Sequence, residues 1–161
     1  MSAIVMGQQA QLVVARAKTQ IGYKEGANNL TKYGQWYGIP NGYWCAMFVS
    51  WVFSTEHVLP LIAQTPKGFA NCEDMHMWAH THGLIVPTAS VQAGDILLYG
   101  EKNKAEHTGI AVGKIDKTHT FPAVEGNTSA DHSLSTNGDG VYLKQRNPSW
   151  VVAVVRPLWT A

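Results

Sequence analysis

Cys45 is the residue in this chain best placed to act as a nucleophile. It follows the turn-like run IPNGYW and opens the apolar segment CAMFVSWVF. That segment predicts a helix buried on most faces, although a buried strand has the same pattern. A thiol in the first turn of a helix has a lowered pKa, because the unpaired backbone N–H groups and the helix dipole favour the thiolate. A plain core cysteine is the alternative interpretation.

His107 is the candidate general base. It stands at the start of the apolar run HTGIAV, just after a polar loop, where a strand would hold its imidazole in place. An imidazole within hydrogen-bond reach of a thiol lowers the thiol pKa and later protonates the leaving group. The chain has seven histidines, so a surface loop histidine is the alternative.

Glu125 and Asn127 are candidates for the third polar group, which fixes the tautomer and orientation of the imidazole. They stand at the end of the next predicted strand, and the alternation of side chains along a strand predicts that both share one face. If the two strands pair, their ends lie side by side. Turn chemistry in the run EGNT is the alternative explanation. The sequence does not decide between the two residues, and we favour Glu125.

The elements that would carry these residues form an α+β pattern. Apolar positions in residues 8–21 recur every three to four residues and predict a helix that ends at Gly22. A further helix is predicted near residues 71–82, before Gly83. The later runs AGDILLYG, HTGIAVGKI, TFPAVEGN, GVYLKQR and VVAVVRPL predict antiparallel strands. Helices first and strands afterwards favour an α+β domain.

The composition favours one globular domain over residues 1–161. Apolar residues make up 45% of the chain and charged residues 14%, the reverse of a disordered chain. The formal net charge is +1, so no strong field attracts nucleic acid or an anionic membrane. No stretch approaches the ~18 consecutive apolar residues of a membrane span. We expect no nucleic-acid partner, no membrane insertion and two free cysteines.

Four short motifs follow one another in a recognisable order. They are WCAMFVSW around the candidate nucleophile, GDIL before the histidine, HTGIAV at the histidine and EGNT at the candidate orienting residues. The upstream run NLTKYGQWYG fits the same pattern. Together they resemble the CHAP domain, the cysteine, histidine-dependent amidohydrolase/peptidase family, which is a papain-like relative of the NlpC/P60 hydrolases. The resemblance covers nearly the whole chain.

This resemblance implies a papain-like α+β fold, with N-terminal helices packed on an antiparallel sheet. The cleft would run between the start of the Cys45 helix and the strand ends that carry His107 and Glu125. The implied activity is cleavage of an amide bond in bacterial peptidoglycan, either as an N-acetylmuramoyl-L-alanine amidase or as an endopeptidase of the stem peptide or cross-bridge. Acylation of Cys45 would be followed by hydrolysis by water, without a cofactor.

The resemblance also bears on the biological setting. Many family members are bacteriophage endolysins, and the N-terminus MSAIVMGQQAQLVV has no recognisable signal peptide. We therefore expect a monomeric lysin that is made in the host cytoplasm and reaches the cell wall after release through a holin.

Two features depart from the family pattern. Some members carry an Asp-rich calcium loop before the nucleophile, whereas residues 22–29 here contain one carboxylate and a lysine, so we expect no calcium site. Many members have Gln immediately before the cysteine, whereas this chain has Trp44. The Cys45 backbone N–H, with Tyr43 or Asn41 as helpers, would then bind the oxyanion.

A zinc site is the main alternative chemistry. Cys72, His76 and His80 are spaced four apart on one helical stripe, with His82 nearby. Three ligands spread over two turns of about 5.4 Å each do not all reach one ion at ~2.1–2.3 Å. His76 and His80 alone remain a candidate pair, but no general-base glutamate stands between them. We expect a polar helix face and no metal.

Two alternative functions use the same fold. One is a non-catalytic wall-binding or phage structural module, and the other is an effector amidase or endopeptidase of the NlpC/P60 type. Substitution Cys45→Ala separates a binder, which tolerates it, from an enzyme, which loses turnover. Candidate substrate-groove residues are Tyr33, Trp36, Tyr37, Tyr43 and Trp44, with residues 102–106 before the histidine. Core packing explains the aromatic residues equally well.

Overall fold

Helices precede almost all of the sheet, in the order that the sequence predicts. The computed structural model describes residues 3–59, 62, 65–130 and 137–159. The helices are α1 Ala3–Thr19, α2 Lys32–Tyr37, α3 Cys45–Thr55 and α4 Cys72–Thr81. The strands are β1 Ile85–Val86, β2 Ile96–Glu101, β3 Lys104–Ala111, β4 Phe121–Thr128, β5 Gly140–Arg146 and β6 Val151–Val155. The predicted α+β class is confirmed, and the two-residue β1 is the strand that the sequence analysis missed.

The six strands form one antiparallel sheet in the order β1-β6-β2-β3-β4-β5. A two-residue turn joins β2 to β3, and both of its residues, Lys102 and Asn103, have the positive φ that such hairpins require. By contrast, β3 and β4 pair at two positions, Ile110 with Val124 and Ala111 with Ala123. The ladder between them therefore stops short of His107, which leaves room for a side chain between the two strands.

Helix α3 packs across the middle of the sheet, against β3 and β4. Its residues 45–50, 52 and 53 are all buried, as the nearly continuous apolar segment predicts. Burial on almost every face explains why a segment rich in valine and aromatic residues is helical, since packing outweighs its modest intrinsic propensity. This packing fixes the first turn of α3 above the strands that carry the candidate catalytic residues.

Local signals set the ends of the other two long helices. The side chain of Asn71 caps α4 by accepting a hydrogen bond from the Asp74 backbone N–H at 2.9 Å. Gly83 follows α4 with a φ of 68°, and Gly22 follows α1 with a φ of 99°. Helix α1 starts at Ala3, several residues earlier than its apolar spacing predicts. No described helix has the length and apolar character needed to cross a bilayer.

Candidate active site

Cys45 is the first residue of α3 and keeps 5% of its surface exposed. Its pKa lies well below the ordinary value of 9.0. A hydrogen bond from the Cys72 thiol contributes most to lowering this pKa, whereas burial raises it. His107 and the Ala46 backbone N–H lower the pKa further. Cys45 therefore lies at a helix start, as the sequence predicts, and the thiolate is the favoured form of its side chain.

His107 lies within β3 and is linked to Glu125 across the gap between β3 and β4. The His107 Nε2 and Glu125 Oε1 atoms are 2.9 Å apart, and both side chains are fully buried. The Tyr99 ring stacks on the imidazole at a centroid distance of 5.8 Å. With Nε2 engaged by the carboxylate, Nδ1 is the nitrogen left to face the thiol, and it has no hydrogen-bond partner among the described residues.

The charges around the His107 ring favour the imidazolium. Burial lowers the pKa of His107, but the Cys45 sulfur and the Glu125 carboxylate raise it, with a net result of about 9. The thiol and the imidazole thus each shift the pKa of the other. This arrangement favours a thiolate–imidazolium pair.

Arg146 completes the buried network behind the imidazole. Its Nε donates to Glu125 Oε2 at 2.8 Å, and a second guanidinium nitrogen bonds to Glu125 Oε1. Burial raises the pKa of Glu125, but Arg146 and His107 lower it more, to about 2. Glu125 therefore remains a carboxylate, which is the state that holds a protonated imidazole in orientation.

The sequence analysis missed Arg146, and the signal for it is weak. In β5 the side chains of Leu143 and Gln145 are exposed, while Lys144 and Arg146 on the opposite face are buried. Alternation along the run GVYLKQR could have placed Arg146 inward. An arginine is almost never fully buried unless it is paired, so the residue type alone predicts a surface position for Arg146.

Asn127 does not occupy the regular strand position that the sequence analysis assumed. The register between β4 and β5 shifts between Glu125 and Thr128, and Asn127 has a φ of 53°. Simple alternation therefore ends here, and the prediction that Glu125 and Asn127 share a face loses its basis. Asn127 is buried, its backbone carbonyl accepts a hydrogen bond from Gly138, and the partner of His107 Nε2 is Glu125.

Two of the five aromatic groove candidates belong to the core instead. Tyr33 and Trp44 have no exposed surface, their rings stack at 5.5 Å, and Trp44 Nε1 donates to Glu25 Oε2 at 2.7 Å. In this conformation neither of these two residues offers surface to a substrate, and their predicted role in binding stays untested. Trp36 and Tyr37 are half-buried, and Tyr43 is 64% exposed, so these three keep surface that a ligand could contact.

In the part of the chain that the structure describes, the candidate catalytic side chains do not lie in an open cleft. His107 and Glu125 have no exposed surface, and little of Cys45 reaches solvent. The described residues therefore leave little of the candidate site accessible to solvent in this conformation.

The start of α3 offers backbone donors for an oxyanion. The first hydrogen bond of this helix runs from the Phe48 N–H to the Trp44 carbonyl, so the preceding N–H groups have no helical partner. Asn41, one of the two predicted helpers, instead donates through Nδ2 to the Asn28 carbonyl at 2.9 Å. Tyr43, the other helper, is largely exposed. The backbone of α3 is left as the main source of donors.

His76 in α4 and His82 just after it hydrogen-bond to neighbouring residues of the same segment. His76 Nδ1 pairs with Glu73 Oε1 at 2.7 Å, and His82 Nδ1 bonds to the Trp78 carbonyl at 2.7 Å. Within the described ranges, no group of three or more Cys, His, Asp or Glu side chains is arranged to hold a metal ion.

Comparison with known proteins identifies the fold. No protein-family model matches the chain, and no curated protein does either. Among solved structures, the endolysin LysIME-EF1 superposes with a TM-score of 0.58 at 18% identity, over 94% of this chain and 65% of that one. The peptidoglycan hydrolase RipB from Mycobacterium tuberculosis superposes with a TM-score of 0.60 at 20% identity, over 97% of this chain and 68% of that one.

The fold is papain-like. This agrees with the architecture predicted from the sequence, in which a helix-borne cysteine precedes a strand-borne histidine. The chain spans about two thirds of the length of each of the two proteins, at 65% and 68%. At this level of identity the likeness is one of fold, so activity has to be argued from the site itself.

Proposed function

We propose that this chain hydrolyses an amide bond of bacterial peptidoglycan, with Cys45 as nucleophile, His107 as acid and base, and Glu125 as positioning residue. The observation that carries the proposal is the buried imidazole, held by a carboxylate at 2.9 Å and coupled in pKa to the Cys45 thiol. The fold supports the substrate class, because its structural neighbours are described as an endolysin and a peptidoglycan hydrolase.

In the first step, the Cys45 thiolate attacks the carbonyl carbon of the scissile amide. Charge develops on the carbonyl oxygen, and the backbone N–H groups at the start of α3, which have no helical partner, stabilise it. The imidazolium of His107 gives its Nδ1 proton to the departing nitrogen, so the C–N bond breaks and a thioester remains on Cys45.

In the second step, neutral His107 accepts a proton from water through Nδ1 while the water oxygen attacks the thioester. The carboxylic acid product leaves, and the Cys45 thiolate and the imidazolium are restored. Throughout both steps Glu125 accepts the Nε2 hydrogen bond, which keeps the same ring nitrogen turned to the sulfur. Arg146 keeps Glu125 charged and fixed.

Three finer assignments extend this proposal. The amide that is cut joins muramic acid to L-alanine or lies within the stem peptide or cross-bridge. The CHAP-like motifs favour a bacteriophage lysin that reaches the wall after release through a holin, acting as a monomer without a cofactor. Mass spectrometry of the muropeptides released from purified walls identifies the bond, since each cleavage leaves a different new amine.

Cys45→Ala and His107→Ala test the proposal most directly. Each removes a group that bonds to, or exchanges a proton with, the substrate, so we expect turnover to fall by about 10³-fold or more. The measurement is release of soluble muropeptides from purified peptidoglycan, alongside sedimentation of the protein with intact wall. Wall binding by Cys45→Ala should persist.

The matched control for the histidine is His80→Ala, at an exposed position on α4, which should retain activity. Cys72→Ala should keep turnover, with an altered pH dependence, because Cys72 contacts the nucleophile without supplying the bonding atom. Full hydrolysis by folded Cys45→Ala would overturn the role of Cys45 as nucleophile. Wall binding with no hydrolysis by the unsubstituted protein would leave the alternative of a wall-binding module.

A further inference from the structure

The thiol of Cys72 lies against the candidate nucleophile. The two sulfur atoms are 3.8 Å apart, and Cys45 and Cys72 are 5% and 7% exposed. Each cysteine is the first residue of a helix, Cys45 of α3 and Cys72 of α4. They are the two cysteines of the chain, so any disulfide within one molecule joins this pair. The catalytic proposal gives the Cys72 sulfur no bond-forming step.

The two sulfurs differ in a way that suits sequential oxidation. Cys45 is held as a thiolate by His107, the Ala46 N–H and Cys72 itself, and the thiolate is the form that reacts with peroxides. The pKa of Cys72 is raised, first by its hydrogen bond to Cys45 and then by burial, so it keeps its proton. Oxidation should therefore begin at Cys45.

We propose that Cys45 and Cys72 form a reversible disulfide when the protein meets hydrogen peroxide, with Cys72 as the resolving cysteine. The Cys45 thiolate attacks one peroxide oxygen, the O–O bond breaks, and a sulfenic acid and hydroxide form. The Cys72 sulfur then attacks the Cys45 sulfur, and the S–O bond breaks. The thiol proton of Cys72 and the departing hydroxide make water, so two electrons pass from the two sulfurs to the peroxide.

The geometry favours this outcome over further oxidation of Cys45. A disulfide bond is about 2.05 Å long, so the sulfurs must approach by less than 2 Å from their present separation. Rotation of short side chains at two helix starts supplies a movement of this size. The attack by Cys72 is an intramolecular step over this short distance, whereas further oxidation of Cys45 needs an encounter with a second peroxide molecule.

For a hydrolase, this disulfide would be an off state that a reductant reverses. This consequence rests on the proposed function, because the nucleophile is consumed in the S–S bond. The disulfide itself depends on the two thiols alone and is measured without any wall substrate, so its failure and the failure of the hydrolase proposal are distinguishable.

Peptide mapping tests the disulfide. The reduced protein is treated with a small excess of hydrogen peroxide, quenched with iodoacetamide and digested with trypsin without reductant. The two cysteines fall in neighbouring tryptic peptides, residues 33–67 and 68–102, which are separated by cleavage after Lys67. We expect these peptides to be recovered joined, 2 Da lighter than the sum of the free pair, and to separate after dithiothreitol treatment. A non-reducing gel should show a monomer.

Cys72→Ser is the matched variant, and its thermal unfolding midpoint is measured first to establish that it folds. In it, peroxide should leave Cys45 as sulfinic or sulfonic acid, 32 or 48 Da heavier, and wall hydrolysis should not return with dithiothreitol. The unsubstituted protein should regain most of its hydrolysis. Recovery of Cys45 as an overoxidised or alkylated residue in the unsubstituted protein, with no joined peptides, would overturn the proposal. Equal recovery of hydrolysis by Cys72→Ser would overturn the resolving role of Cys72.

Discussion

The imidazole of His107 lies between two groups that both favour its protonated form. Glu125 holds Nε2, and the Cys45 sulfur is the other neighbour that raises the pKa of the ring. Because hydrogen bonds and charge interactions with both neighbours favour the protonated ring, the pKa of His107 rises to about 9 despite complete burial. The Cys45 thiolate and the His107 imidazolium each stabilise the charged state of the other, so these two groups titrate as a unit.

A bell-shaped pH profile of kcat/KM follows from this pairing. Activity should rise from acid pH as the Cys45 thiolate forms, well below the ordinary thiol pKa, and should fall near pH 9 as His107 loses its proton. The measurement is the initial rate of hydrolysis of a soluble muropeptide across about pH 4–11, within the range where the fold is intact. A descending limb near the ordinary histidine value of 6.5 would contradict the thiolate–imidazolium assignment.

Glu125→Gln should reduce kcat without abolishing it. The amide can still accept a hydrogen bond from the ring but supplies no negative charge, so the pKa of His107 and the descending limb should move to lower pH. We expect a loss of about 10²-fold, smaller than for Cys45→Ala, because an orienting residue supplies no bonding atom. Glu101→Gln, at an exposed strand end, is the matched control. An unchanged pH profile in Glu125→Gln would contradict the positioning role.

At the scale of elements, glycines in β3 and β4 allow the site to assemble. A Cβ atom on Gly109 would lie 2.4 Å from Glu125 Cγ, and one on Gly126 would lie 2.7 Å from the Trp44 ring. Gly109 therefore leaves the space through which Glu125 passes towards His107. Gly126 lets β4 approach the start of α3, where Cys45 stands.

Gly109→Ala should impair catalysis by displacing Glu125. The added methyl group overlaps the Glu125 side chain, so the carboxylate must leave its hydrogen-bond distance from the imidazole or the strands must separate. We expect kcat to fall about as far as in Glu125→Gln, by about 10²-fold, with a similar shift of the descending pH limb. Gly113→Ala is the matched control, because its Cβ would meet Pro122 Cγ at an ordinary 3.7 Å. Wild-type rates in Gly109→Ala would show that Glu125 needs no such space.

For the molecule as a whole, local patterns were enough to predict the elements but not the contacts behind the site. The apolar segment after Cys45 and the later strand runs predicted α3 and the sheet, because burial imposes periodicity on sequence. The Arg146–Glu125 pair and the Cys45–Cys72 contact join residues 21 and 27 positions apart, and no periodicity records such contacts. Asn127 departed from prediction because a register shift interrupted alternation in β4.

Arg146 also links the site to global stability. Its guanidinium is 1% exposed and bonds to both oxygens of a carboxylate that has no exposed surface. Because the pKa of Glu125 is about 2 when folded and 4.5 ordinarily, the stability from this carboxylate is present above pH 4.5 and is lost as the pH falls through about 2.

Arg146→Ala should therefore destabilise the whole fold at neutral pH. It leaves the Glu125 carboxylate buried beside His107 without its main cation, a change that typically costs about 3–5 kcal/mol in free energy of unfolding. Arg16→Ala is the matched control, because it removes an exposed pair with Glu56 at 2.8 Å and should cost about 0–1 kcal/mol.

Urea unfolding at pH 7 and pH 3 measures the free energy of unfolding of both variants. The penalty at Arg146 should shrink at the lower pH, because Glu125 without the arginine can then take up a proton, whereas the effect of Arg16→Ala should stay small at both. Equal penalties for the two arginines at pH 7 would show that the buried pair contributes no more than a surface one.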